Sequence, residues 1–313
     1  MRDEARTAPQ RDGAAAHDHL ALVLSGGGER ALPWLVGVVA GLAESGLDPR
    51  EADTVLGTST GALVAGRVAC GVDPAADADA VASSPAPAVA PGLDAAVGSA
   101  LAEIVSVLRP SAPSEQERRR RVGAVALRPD PDLVPADEQI ARQAARLPGG
   151  AWPSALFVAT VDADSGELVA LGESDGISVA EAVAAAQATP GVVEPVELGS
   201  RRLIDAGIRS GTNAELVPAG ARRVVIVTAT ETEPRPGSRD DLWNDALLIE
   251  CVALRARGAD PVVIHASRAA QVAMGDVVTA GADPAEAVEL GRAQGREAYA
   301  RVNASESLAA QAA

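Results

Sequence analysis

Apolar and polar positions along the chain alternate between two kinds of segment. Continuous apolar runs at residues 20–25 and 53–57 have the length and the flanking glycines of buried strands. Each run is followed by a longer segment with helical character, at residues 30–45 and 60–70. A chain that begins strand, helix, strand, helix predicts a parallel sheet covered by helices.

The pattern changes over residues 73–150, where alanine, proline and aspartate dominate and helical stretches occur near 93–108 and 136–147. We interpret this segment as a helical insertion or cap that shapes a substrate pocket. A hairpin turn, rather than a calcium-binding loop, is expected around Asp162, Asp164 and Gly166. Strand patterns return in the second half of the chain, at residues 155–171, 201–204, 223–229 and 261–265.

Composition limits the classes of function. The 313 residues are 47% hydrophobic, enough for a substantial core. A formal net charge of −16 argues against binding nucleic acid or anionic lipid surfaces. The two cysteines, Cys70 and Cys251, lack the spacing of metal ligands and give no disulfide framework.

The ends of the chain predict flanking tails around one domain. Residues 1–18 are polar, and we expect them to form a disordered tail. We expect the folded domain to comprise residues 19–304, followed by a C-terminal tail at residues 305–313. The first residues lack the apolar core of a signal peptide, and no apolar run reaches the roughly 18 residues that span a bilayer. We therefore expect a cytoplasmic protein whose contact with membranes is at most transient; the sequence does not indicate an oligomeric state.

A glycine-rich loop follows the first strand in "LALVLSGGGERALPWLVGVVAGL", residues 20–42. Read as Gly26-x-Gly28-x-x-Ala31, it fits a loosened dinucleotide-binding fingerprint. Alternatively, the same backbone N–H groups could hold a developing oxyanion. The loop alone does not separate these two functions.

A second motif, "GTSTG", lies between the second strand and the second helix, as a nucleophile elbow requires. Ser59 occupies its centre, and the neighbouring residues Gly57, Thr58, Thr60 and Gly61 complete it. Small residues two positions on either side let strand and helix approach closely around a strained serine. The N-terminus of the following helix would stabilise negative charge beside the serine hydroxyl.

The two motifs are expected to meet, because the carboxyl ends of neighbouring parallel strands lie on one edge of the sheet. The N–H groups of Gly27 and Gly28 could then point at a carbonyl oxygen attacked by Ser59. A dinucleotide site needs an acid at the end of the second strand, where the Gly57 turn lies instead. Glu44 and Asp48 have a suitable spacing but fall in the helix and its exit.

Together with "SGGGER" and "GTSTG", the turn Asp205-Ala206-Gly207 resembles the corresponding motifs of the patatin-like phospholipase family. The resemblance extends over most of residues 20–302. It implies a three-layer α/β/α sandwich with a mainly parallel central sheet, and hydrolysis of lipid acyl esters without a metal or cofactor. It also implies a Ser-Asp dyad, with Ser59 as nucleophile and Asp205 as base, beside an oxyanion region that comprises Gly26, Gly27, Gly28 and Arg30.

The chain departs from the family pattern at two positions. The family's glycine loop usually ends in glycine, where this chain has Ala31, and its aspartate motif usually has glycine, where this chain has Ala206. A positive φ at Ala206 would cost roughly 1 kcal/mol. We therefore allow for weak activity.

Two alternatives remain open at this level. Ser59, Asp205 and His265 occur in the chain order of an α/β-hydrolase triad. His265, however, ends a predicted strand, whereas the hydrolase histidine usually lies in a loop. The second alternative is a weakly active or inactive protein that has kept the fold. Phospholipids, lysophospholipids, neutral glycerides and small esters all remain candidate substrates.

Overall fold

The computed structural model describes residues 19–85, 99, 102–103, 114–234, 236–275 and 282–311, with side chains in the last stretch described as far as residue 304. This part of the chain forms an eight-stranded sheet. Its strands are β1 (Leu20–Leu24), β2 (Thr54–Thr58), β3 (Leu156–Asp162), β4 (Leu168–Leu171), β5 (Val196–Leu198), β6 (Arg201–Asp205), β7 (Arg223–Thr228) and β8 (Asp260–His265).

The strand order is β5-β6-β3-β2-β1-β7-β8, and β4 pairs with β3. The five strands β3, β2, β1, β7 and β8 run parallel to their neighbours in this order. The strands β4 and β6 each pair antiparallel with β3, and β5 pairs antiparallel with β6. The predicted, mainly parallel sheet is therefore confirmed. The turn predicted around Asp162, Asp164 and Gly166 joins β3 to β4.

Helices cover both faces of the sheet. One face of the sheet carries most of the helices, and the other face carries the fourth and the seventh helix in chain order. The helices are α1 (Leu32–Glu44), α2 (Thr60–Ala69), α3 (Pro74–Ala82), α4 (Glu115–Ala126), α5 (Ala136–Ala144), α6 (Val179–Ala186), α7 (Arg239–Ala256), α8 (Arg268–Met274) and α9 (Pro284–Gln311).

The apolar run of β1 follows from this layering. Leu20, Leu22 and Leu24 pack into the core on the α1 side, and Ala21 and Val23 pack into the core on the α7 side. All five residues are buried, because successive strand residues point to opposite faces and both faces are covered. The predicted three-layer α/β/α sandwich is confirmed.

The middle segment does not form one continuous layer within the described residues. Ala78 of α3 and Ile140 of α5 pack into the core on the α1 side, whereas Val122 of α4 packs into the opposite core. The predicted helix at 136–147 corresponds to α5. Most of the helical pattern near 93–108 lies outside the described residues.

Helices α1 and α9 approach each other closely along a glycine seam formed by Gly37, Gly41, Gly291 and Gly295. A Cβ atom added at Gly37 would lie 2.3 Å from the Val288 carbonyl oxygen, and one added at Gly41 would lie 2.2 Å from that of Arg292. These distances leave no room for a methyl group. The seam therefore holds the two helix backbones in direct contact. None of the helices in the described part of the chain is long and apolar enough to cross a membrane.

Candidate active site

The turn between β2 and α2 holds Ser59 in a strained conformation. Its φ of 53° is positive, which is costly for a residue with a Cβ atom and is found at nucleophile elbows. A Cβ atom at Gly57 would lie 2.4 Å from the Ala62 Cα, and one at Gly61 would lie 2.2 Å from the Leu24 carbonyl oxygen. Both glycines are therefore required where strand, turn and helix meet.

Sheet register explains how Asp205 reaches this turn. The strand β2 pairs with β3 as far as Thr58 opposite Ala159, and β6 pairs with β3 from Asp205 opposite Thr160. The residues of β3 that pair with β2 and with β6 include residues that also pair with β4. Because β4 occupies one edge of β3, β2 and β6 both lie along the opposite edge. They approach from opposite directions and meet end to end. Their last residues, and the serine that follows Thr58, therefore converge.

Asp205 is 7% exposed and accepts the Gly207 backbone N–H at 2.8 Å. Burial raises the pKa of Asp205 to about 6 against the lowering effects of that bond, of a hydrogen bond from the Ser59 side chain, and of the Arg239 charge. The carboxylate thus combines direct contact with the serine and a basicity above that of an ordinary aspartate. Both properties suit a general base.

The raised pKa of Asp205 predicts a gain in stability when its charge is removed. The folded-state pKa, about 6, exceeds the ordinary value of 3.8, so ionised Asp205 opposes folding above pH 6 and this effect disappears as pH falls toward 4. We expect Asp205→Asn to raise the free energy of unfolding at pH 8 by on the order of 1–3 kcal/mol. Denaturant unfolding at pH 8 and pH 4 tests this. An equal difference at both values would contradict it.

The glycine loop after β1 lies directly against Ser59. A Cβ atom at Gly26 would be 2.9 Å from the Ser59 Cβ. The Gly26 N–H donates to the Gly211 carbonyl at 2.9 Å, so it fixes the loop and is not available to an oxyanion. The N–H groups of Gly27 and Gly28 have no acceptor within the described residues. These two groups are the loop's candidate oxyanion donors.

Two consecutive charged residues anchor this loop on opposite flanks. Glu29 accepts two hydrogen bonds from Arg146, at 2.7 and 2.8 Å. Arg30 donates to the Gly275 carbonyl at 2.8 Å and, at 3.5 Å, to Gln271 of α8. The Arg30 guanidinium is thus bound at the C-terminal end of α8, and it fixes the glycine loop to that helix.

Trp243 was not predicted from the sequence, yet it contacts three segments of the site. Its Nε1–H donates to the Gly207 carbonyl at 2.8 Å. Its ring lies against Gly211 and Gly26, where added Cβ atoms would be 2.5 and 3.5 Å away. The Arg239 guanidinium lies 4.5 Å above the ring centroid. The sequence has few aromatic residues: three tryptophans, one tyrosine and one phenylalanine. This scarcity was the only feature of the sequence that singled out Trp243.

Residues 210–213 form a junction loop that was also missed. The Gly211 carbonyl accepts from Gly26, and the Thr212 carbonyl accepts from the Thr58 hydroxyl at 3.2 Å. Asn213 donates to the Thr58 hydroxyl at 3.1 Å and to the Ala206 carbonyl at 3.4 Å. The junction loop therefore joins the glycine loop, the elbow and the aspartate turn.

The two departures from the family pattern are accommodated by the backbone. Ala206 begins a short 3-10 turn and is not among the described residues with positive φ, so the expected steric cost does not arise. Ala31 is fully buried, and its methyl group lies where a side chain at Gly27 would be, 2.5 Å from an added Cβ. Both alanines are compatible with the geometry of the site.

His265 lies far from Ser59. It ends β8, which is separated from β2 by β1 and β7, so three strand spacings or about 14 Å lie between them. Its Nδ1 is 3.4 Å from the Thr230 hydroxyl, and burial lowers its pKa. The structure does not bring His265 to the serine. Among the residues with described positions, no group of three or more His, Cys, Asp or Glu side chains could hold a metal ion.

Comparison with known protein families shows the class to which this chain belongs. The sequence model of the patatin-like phospholipases matches residues 22–218, which is more than half of the chain. The chain belongs to the patatin-like phospholipase family, whose members are lipid hydrolases. This membership sets aside the dinucleotide-binding alternative. No curated protein sequence matched the chain.

Solved structures with a similar fold include those of two bacterial proteins. VipD from Legionella pneumophila is 14% identical, with a TM-score of 0.45 over 92% of this chain and 67% of VipD. The type III effector ExoU is 18% identical, with a TM-score of 0.40 over 91% of this chain and 53% of ExoU. ExoU from Pseudomonas aeruginosa in complex with SpcU is 20% identical, with a TM-score of 0.38 over the same shares. The chain spans about half the length of ExoU.

Proposed function

We propose that the protein hydrolyses carboxylic ester bonds of lipids through an acyl-serine intermediate formed by a dyad of Ser59 and Asp205. The observation that carries this proposal is the strained Ser59 hydrogen-bonded to a buried carboxylate of raised pKa. Family membership supports lipid hydrolysis, and the residues of the dyad are our assignment. The domain that performs the reaction is residues 19–304.

The reaction proceeds in two stages. Ser59 Oγ attacks the ester carbonyl and passes its proton to Asp205, while the carbonyl oxygen takes the negative charge and accepts from the N–H groups of Gly27 and Gly28. The leaving alcohol then departs with the proton from Asp205. In the second stage Asp205 accepts a proton from water, which attacks the acyl-serine, and the fatty acid is released as Ser59 regains its proton.

Hydrolysis of acyl esters of graded chain length tests this function. The expected result is turnover with a covalently modified Ser59 trapped by a serine-directed phosphonate. Modification of Ser59 without turnover of any ester would favour a protein that has kept the fold and lost the activity. Absence of both would reject the proposed function.

Arg239 suits a substrate that carries phosphate. Its charge acts on Asp205, it is stacked on Trp243, and its Nε and Nη2 are bound by Asp240. Within the described part of the chain its Nη1 has no hydrogen-bond partner. We therefore propose that phospholipids or lysophospholipids are preferred over neutral glycerides.

Arg239→Gln should lower kcat/KM about 10-fold to 100-fold for a phosphate-bearing ester and less for a neutral ester of the same acyl chain. Both assays are run above pH 8, because loss of this cation also raises the pKa of Asp205. Arg268→Gln is the matched control, since Arg268 is 79% exposed and pairs with Glu231 on the surface. Equal losses on both esters would show that Arg239 does not select phosphate.

A further inference from the structure

Glu250 is a buried carboxylate behind the site, on the inner face of α7. It is 0% exposed. One of its oxygens, Oε2, accepts from the Thr212 hydroxyl at 2.6 Å and from the Ala214 backbone N–H at 2.9 Å. The other oxygen, Oε1, accepts from Arg209 at 3.2 Å. Both oxygens therefore accept hydrogen bonds.

The contacts of Glu250 fasten the junction loop to α7. Thr212 lies within the loop and Ala214 follows it, so the carboxylate holds the loop at its C-terminal half. The same loop bonds to Gly26, to Thr58 and to the Ala206 carbonyl. Glu250 is thus connected through this one loop to the glycine loop, the elbow and the aspartate turn.

Stability alone does not explain a charge at this depth. Removing a carboxylate from water costs several kcal/mol, and a well-packed apolar side chain often serves stability equally well. Burial raises the pKa of Glu250, opposed first by the Arg209 charge and then by its hydrogen bonds. Arg209 already has a second carboxylate partner, Glu215, at 2.8 Å. Unlike Glu215, Glu250 also accepts hydrogen bonds from the junction loop and from the residue that follows it.

We propose that Glu250 is a positioning residue for ester hydrolysis: by anchoring the junction loop, it sets the position of the oxyanion donors, Ser59 and Asp205 relative to one another. This inference rests on the proposed function. Glu250 does not touch substrate, so its effect is on kcat and on the reactivity of Ser59, with little effect on KM.

Glu250→Gln tests the proposal, because it preserves shape and disrupts the bonding. In either orientation the new amide NH₂ faces a donor, either Arg209 or the pair formed by the Thr212 hydroxyl and the Ala214 N–H. Well below the unfolding temperature, kcat and the rate of phosphonate labelling should both fall about 10-fold to 100-fold, with KM within about twofold of the wild type.

Glu215→Gln is the matched control, since it removes the carboxylate that lies nearest to Arg209, at 2.8 Å, and leaves Glu250 in place. It should leave kcat within about twofold of the wild type. If Glu250→Gln fails to fold, Thr212→Val replaces it, because it deletes the 2.6 Å bond between the junction loop and Glu250 while Glu250 keeps its charge. It should lower kcat in the same direction.

Wild-type kcat in folded Glu250→Gln or Thr212→Val would overturn the proposal, and so would a change confined to KM. An equal loss in Glu215→Gln would assign the effect to the charge of Arg209 and also overturn it. Absence of ester hydrolysis in the wild type is a different outcome, because it rejects the proposed function itself.

Discussion

Ser59→Ala is expected to lower kcat on a short-chain ester by about 10³-fold or more, the scale known for loss of a catalytic serine. The substitution removes the hydroxyl that would attack the ester and leaves the buried surroundings of the elbow unchanged. Steady-state hydrolysis at pH 8 measures it. A variant that retains more than about a tenth of the wild-type rate would contradict the assignment of Ser59 as nucleophile.

Asp205→Asn and His265→Ala complete this first prediction. The asparagine keeps the shape of the aspartate but cannot accept the proton, so the expected loss is again about 10³-fold. His265→Ala should retain activity within a fewfold of wild type, because about 14 Å of sheet separates it from Ser59. Circular dichroism first shows that all three variants are folded. Inactivity of His265→Ala would favour a triad mechanism.

Gly41→Ala is expected to lower the stability of the protein markedly. Alanine normally stabilises a helix relative to glycine by about 0.5–1 kcal/mol. Here its methyl group would lie 2.2 Å from the Arg292 carbonyl oxygen, which is backbone and cannot move without displacing α9. We expect the free energy of unfolding to fall by about 3 kcal/mol, the sign opposite to that of helix propensity.

Gly149→Ala is the control for this experiment. Nothing lies within 4 Å of a Cβ atom added there, so this alanine meets no obstacle. Urea denaturation should give wild-type stability within about 0.5 kcal/mol for Gly149→Ala. Gly41→Ala with unchanged or increased stability would show that α1 and α9 can separate at no cost.

The parts of the site that could be predicted from sequence are those fixed by local geometry. A glycine near the end of a strand, two residues before a serine, with another glycine two residues after it, favours a sharp strand-to-helix turn. The structure has a positive φ at Ser59, as such a turn requires, and the role of Ser59 as a nucleophile stays a prediction. The order of strands along the early chain likewise followed from apolar runs and intervening helices.

The parts that could not be predicted depend on pairing between distant segments. The resemblance placed Gly26 in the oxyanion region, but its N–H donates to the carbonyl of Gly211, which lies 185 residues later in the sequence. Trp243 and Glu250 belong to a helix whose sequence carries no catalytic motif. Their roles follow from which face of α7 is buried and from what that face meets, and neither is encoded by local periodicity.

The position of β7 in the sheet has a consequence for how the family's sequence boundary should be used. The stretch that the family's sequence model matches ends at residue 218, before β7, although β7 lies beside β1 at the centre of the sheet. A fragment trimmed to that boundary would leave β1 with a bare hydrogen-bonding edge and α1 without its partner helix. Such an edge invites pairing with other chains. The fragment is therefore expected to aggregate when expressed alone, since the unit of recognition is shorter than the unit of folding.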